Sequence, residues 1–101
     1  MIDLDSEYLE QVRAILGAHL PECEVRVFGS RVTGHARKYS DLDLALIGAQ
    51  EIDWRKMEAL KDAFSASDLP VVVDLVDWHA IDESFRQLIE AEYEVLQKPG
   101  G

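Results

Sequence analysis

FGSRVTGHARKYSDLDLAL, residues 28–46, decides how this chain folds and what it can do. A β-strand repeats its side-chain direction every second residue. Asp41 and Asp43 are therefore expected on one face, and Leu42, Leu44 and Leu46 on the other, in a core. Two carboxylates on one face repel unless a cation lies between them. Magnesium suits the position, because it is held by one or two carboxylates together with substrate phosphates. Ahead of the acids, Gly29-Ser30 is expected to form a tight turn that opens a short helix. That turn offers backbone N–H groups and a hydroxyl to phosphate.

Working outward, residues 6–20 carry Leu9, Val12, Ile15, Leu16 and Leu20 at helical spacing, with Asp5 or Ser6 to cap the start and Pro21 to end it. Residues 24–28 alternate charged and apolar side chains and read as a half-buried strand, and 41–47 as a second, central one. A helix follows over 53–64, its apolar side made of Trp54, Met57, Leu60 and Phe64. A third strand is expected over 71–76, and a helix over 81–91 with Phe85, Leu88 and Ile89 inward. A last short strand falls at 93–96. Strands alternating with helices imply an α/β (α+β) domain over residues 1–97, with 98–101 as a loose tail. The short link between the first two strands favours a small mixed sheet flanked by helices.

Within VVVDLVDW, residues 71–78, Asp74 interrupts an apolar strand. It is either a third metal ligand, shared with Asp41 and Asp43, or an acid at an exposed strand end. Burial of an unpaired charge would cost several kcal/mol, on the order of the penalty for an ion taken out of water. Asp77 is read as structural, an ordinary N-cap for the helix that follows. Three carboxylates from two strands suit phosphoryl or nucleotidyl transfer, in which two cations clamp the attacking and leaving oxygens.

Rival motifs fail. Gly29 and Gly34 have P-loop spacing, but His35-Ala36 stands where Lys and Ser/Thr are needed. His19, His35 and His79 have no zinc-ligand spacing with Cys23. Tyr39 and the two tryptophans are candidates for a base pocket or for the core.

The formal charge of the 101 residues is −10, from 20 acids against 10 Lys and Arg. That field disfavours general binding to nucleic acid or anionic membranes. Arg26, Arg31, Arg37 and Lys38 nevertheless cluster around the glycine turn, as a local spot for a small polyanion or as solvated surface charge. One cysteine excludes an internal disulfide and suits a reducing compartment. No apolar run approaches a membrane span, so a cytoplasmic protein is expected.

Gly29-Ser30, Gly34, Ser40-Asp41-Leu42-Asp43-Leu44 and the downstream Asp74 resemble the signature of the polymerase-beta-like nucleotidyltransferase superfamily, and within it the minimal nucleotidyltransferases. The likeness covers nearly the whole chain; Thr33 departs from it, where many members place an arginine. The resemblance implies transfer of a nucleoside monophosphate from a triphosphate, ATP first among them, to a hydroxyl, with release of pyrophosphate. Gly29 and Ser30 would hold the triphosphate, with Arg31, Lys38 and Ser40 beside them. Asp41, Asp43 and Asp74 would hold two Mg2+ ions, with Mn2+ as a substitute, and Asp74 would help activate the acceptor hydroxyl. At 101 residues the chain is expected to hold no separate acceptor-binding domain. The resemblance accordingly implies a small all-helical partner encoded nearby, as a substrate-binding subunit or as a toxin. The alternative is a binding module, an antitoxin that neutralises such a partner by occupying or nucleotidylating it.

Overall fold

Charged and apolar residues alternate along Glu24–Phe28 (β1), and the computed structural model, which describes residues 1–100, makes it an inner strand of a four-stranded sheet. Before it, α1 (Ser6–His19) buries Val12 and Leu16. After it come the one-turn helix α2 (Ser30–Thr33), β2 (Leu42–Ile47), α3 (Trp54–Ser65), β3 (Val73–Asp77), α4 (Glu83–Ala91) and β4 (Glu94–Gln97). The strand order is β3-β2-β1-β4. The link between β1 and β2 is short, so the chain returns antiparallel; α3 gives the length for a parallel crossover to β3. The sheet is therefore mixed, as expected.

Period-two patterning divides the sheet into two faces. Val25, Val27, Leu42, Leu44, Leu46 and Leu96 join Val12, Leu16, Leu60 and Phe64 in the main core, beneath α1 and α3. Full burial of each such leucine contributes about 1.5–3 kcal/mol. The opposite face holds a smaller cluster of Phe28, Ala45 and Ile89, with Val76, Trp78 and Tyr93 packed on it. α4 lies against this second face through Ile89 and an edge-to-face contact of Phe85 with Phe28. Asp43 and Asp74 lie on its uncovered part.

Several expectations change. Trp54 is 70% exposed and lies under the Arg55 guanidinium rather than in the core. Its position next to the N-cap Asp53, whose side chain accepts from Arg55 N, turns it outward. Leu88 is 67% exposed, because α4 is short and reaches the sheet through Ile89. Asp77 is no helix cap. It ends β3, buried, and its carboxylate accepts from Ile52 N at 2.8 Å and His79 N at 3.0 Å. The cap of α4 is Asp82, which accepts from Phe85 N; that bond and one from Ser84 hold its carboxyl below the usual range.

Among the described residues, no helix is long and apolar enough to cross a membrane. At the C-terminal end, Gly100 N donates to the Pro21 carbonyl at 2.9 Å. Residue 101 of the expected tail lies outside the described residues.

Candidate active site

Gly29 follows the last residue of β1 and takes φ 78°, ψ −156°, a conformation essentially reserved for glycine. The chain then coils into α2, with Val32 N and Thr33 N both donating to the Gly29 carbonyl, and Gly34 closes the turn at φ 86°. When the chain returns as β2, the register places Asp43 opposite Phe28. The Asp43 carboxylate thereby comes to rest against Gly29. A Cβ on Gly29 would overlap Asp43 Oδ2. The missing side chain is what lets turn and acid touch.

On the other side of β2, Asp43 is the register partner of Asp74 in the parallel pair. Asp41 precedes the strand instead of lying in it, and is exposed. Its charge still reaches Asp43. Burial, then Asp74, then Asp41 push the Asp43 carboxyl up to about 6 from 3.8. The three acids therefore share one electrostatic neighbourhood. They do not close into a coordination shell: no group of three metal-ligating acid, His or Cys side chains is gathered among the described residues.

Asp74 is exposed, because β3 is an edge strand with one open face. The expected penalty for its burial does not arise, and its position beside Asp43 is what ties it to the site. A hollow of about 510 Å3 runs along the β3 edge past Lys61, Phe64 and Asp74. Asp74 borders it, whereas Gly29 and Asp43 do not.

The structure assigns Arg31 differently from its expected place among the phosphate ligands. It is 5% exposed and its donors go to main-chain carbonyls: Nε to Ser40 at 3.0 Å, Nη1 to Asp3 at 2.6 Å, Nη2 to Lys38 at 3.2 Å and Arg37 at 3.4 Å. Ser40 is half-buried, and its Oγ accepts from Arg37 N at 2.8 Å. Lys38 and Arg37 are exposed, with the Lys38 ammonium over the Tyr39 ring. Tyr39 itself is 71% exposed and belongs to no core. Arg26 turns away from phosphate duty as well, paired with Glu24 and stacked on Tyr93 and Trp78. Burial, with Glu22 adding to it, pushes the Cys23 thiol up, which leaves it unreactive.

The Arg31 knot was hidden because its partner Asp3 lies far away in sequence. One signal was available: Ile2 and Leu4 alternate with Asp3 and Asp5, the pattern of an extended arm, and both apolar residues pack on the core.

A glycine turn set against acids on a mixed sheet defines a nucleotidyl-transferring fold. The chain belongs to the polymerase beta nucleotidyltransferase family, whose model matches residues 10–99. It is thus a nucleotidyltransferase, and the family works with divalent metals. It is 48% identical over 97 residues to the probable protein adenylyltransferase MntA of Haemophilus influenzae, covering 96% of this chain and 85% of that protein. A crystal structure of a toxin–antitoxin with AMP-PNP is similar at a TM-score of 0.70 and 26% identity, covering 87% of this chain and 71% of that one. The same fold occurs in a Shewanella oneidensis complex of MNT antitoxin with a tri-AMPylated HEPN toxin, at a TM-score of 0.66 and 23% identity, covering 92% of this chain and 71% of that one.

Proposed function

We propose that this nucleotidyltransferase moves AMP from ATP to a hydroxyl on a small helical partner protein and releases pyrophosphate. The observation that carries the reading is the seating of Asp43 against Gly29, with Asp74 as its register partner. It brings a phosphate-binding turn and oxygen donors to one spot. Support for adenylyl transfer to protein comes from the Haemophilus influenzae relative at 48% identity.

Gly29 and Ser30 hold the triphosphate through main-chain N–H groups and the Ser30 hydroxyl, while exposed Lys38 approaches its outer oxygens. Ser40 shapes the loop beside them. Asp41, Asp43 and Asp74 fit two Mg2+ ions by donor chemistry: hard carboxylate oxygens, with mutual repulsion that a cation relieves. Mg2+ needs only one or two protein carboxylates when substrate phosphates complete its shell, so a closed protein cage is unnecessary. When bound, such ions neutralise the triphosphate and stabilise the attacking and leaving oxygens. Asp74, on the open edge, takes the proton of the incoming hydroxyl. The exposure of Asp74 on the sheet edge leaves room for a macromolecular acceptor to cover the reacting groups and exclude water.

The toxin–antitoxin setting of the similar structures supports an antitoxin role for this chain, exerted by modifying the partner. The lone cysteine and acidic charge support a cytoplasmic site of action. The test is incubation with the helical protein encoded beside it, Mg2+ and labelled ATP. Mass spectrometry of the partner should show the added mass of AMP, and pyrophosphate should appear in equal amount. Tight binding with no transfer, unchanged by Asp43→Asn, would instead establish a purely occupying antitoxin.

A further inference from the structure

We infer that Arg31 is a positioning residue, which fixes the distance between the triphosphate turn and the acids. This rests on the nucleotidyl-transfer reading of the site and adds a residue to it.

Arg31 is the second residue of α2, directly after Ser30, so its main chain belongs to the turn. Its side chain points into the protein and holds carbonyls at Arg37, Lys38 and Ser40, the segment that leads into Asp41 and Asp43. The third nitrogen holds the carbonyl of Asp3, while Asp3 N donates back to the Arg31 carbonyl at 2.7 Å. One guanidinium thus joins the turn, the following loop and the N-terminal arm. Among the described residues no carboxylate pairs with Arg31, although acids outnumber bases two to one in the sequence. A cation buried among carbonyls alone is an expensive way to stabilise a loop. A planar fork of fixed donors does, however, set several carbonyls at once, which an ammonium does not.

The action assigned to Arg31 is geometric: its guanidinium ends on the carbonyls of Arg37, Lys38 and Ser40, in the segment that leads into β2. The loop between Gly34 and Asp41 holds no strand or helix of its own, and its internal ties are Ser40 N to the Arg37 carbonyl and Arg37 N to Ser40 Oγ. Without the fork, the turn stays attached to β1 while the approach to β2 loosens. A misplacement of about 1 Å between reacting groups costs about a hundredfold in rate. The triphosphate is still held by the turn, so turnover suffers more than binding.

The experiment compares wild type with Arg31→Lys, Arg31→Ala and Ser40→Ala, measuring kcat and KM for ATP on the folded fraction, with amide hydrogen exchange over residues 37–43. Arg31→Lys should lower kcat by about tenfold or more with KM changed less than about threefold, and should speed exchange in the loop but not in α1. Methylguanidinium added to Arg31→Ala should recover part of kcat, because Arg31 lines a hollow of about 290 Å3 together with the exposed Lys38 and Tyr39. Ser40→Ala loosens the loop from its outer side without disturbing the core, and decides the matter if the arginine variants do not fold. Its kcat should fall about threefold or more with KM unchanged. A kcat within twofold of wild type for the variants that fold overturns the clamp alone. A wild type that transfers no nucleotide overturns the underlying reading with it.

Discussion

Asp43 and Asp74 face one another as register partners across the parallel β2–β3 pair, and burial, with Asp74 and Asp41 adding to it, raises the proton affinity of Asp43. An acid whose folded-state pKa exceeds its unfolded value contributes stability at low pH, and that contribution is lost as pH rises from 3.8 through about 6. At neutral pH the ionised group is therefore a source of strain in the metal-free protein. The shift corresponds to about 3 kcal/mol at full effect, and solvent screening of a half-exposed carboxylate reduces it to about 1 kcal/mol. Asp43→Asn should raise the urea midpoint at pH 7.5 (about 1 kcal/mol), do little near pH 4, and abolish transfer. Denaturation curves at the two pH values check this; a variant less stable than wild type at both contradicts it.

Gly29 and Gly34 both have positive φ, and only the first faces an acid. Gly29→Ala introduces a Cβ into the Asp43 carboxylate and strains the turn, at about 1–3 kcal/mol. It should lower kcat by about a hundredfold. Gly34→Ala meets nothing within 4 Å and should show only the left-handed backbone penalty of about 1–2 kcal/mol, with turnover per folded molecule retained. Side-by-side melting and kinetics distinguish the pair; equal kinetic losses would show that backbone strain alone matters.

Asp74 and Asp77 sit three residues apart on one strand and should separate function from stability. Asp77→Ala leaves the Ile52 and His79 amides without their carboxylate and should destabilise by about 1–3 kcal/mol, with kcat little changed at low temperature. Asp74→Asn alters an exposed side chain and should melt like wild type while kcat collapses. An active Asp74→Asn variant would remove that carboxylate from the proposed chemistry.

Chelation with EDTA should halt transfer, and added Mg2+ should restore it, with no change in the far-ultraviolet circular dichroism. Asp43 and Asp74 lie on one face of the sheet and Asp41 just ahead of β2, and none of the three belongs to the core. A spectrum that collapses on chelation would make the metal structural instead.

Local chemistry carried much of this architecture. Leu42, Leu44 and Leu46 recur at every second position and do enter the core; Val12 and Leu16 fall on the buried side of α1. The turn residues Gly29 and Gly34 mark the ends of α2. What depends on sheet order was not legible. Asp74 in an apolar run looks interior until β3 proves to be an edge. Asp77 before a helical pattern looks like a cap until β3 proves to include it. Trp54 and Leu88 match helical periodicity, but which part of a short helix meets the sheet is set by packing at a distance. Arg31, next to the phosphate turn, has the sequence signature of a ligand; its actual acceptors include the carbonyl of Asp3, reached only after the chain has folded back.

β3 is stitched to the sheet along one side only. Gly29 and Asp43 belong to the β1–β2 pair, whereas Asp74 is delivered by this outermost ribbon. The proposed reaction centre consequently straddles a seam between the inner strand pair and an edge strand. Gentle warming that peels the rim would silence the enzyme while the remaining strands stand, so heat inactivation should run ahead of melting.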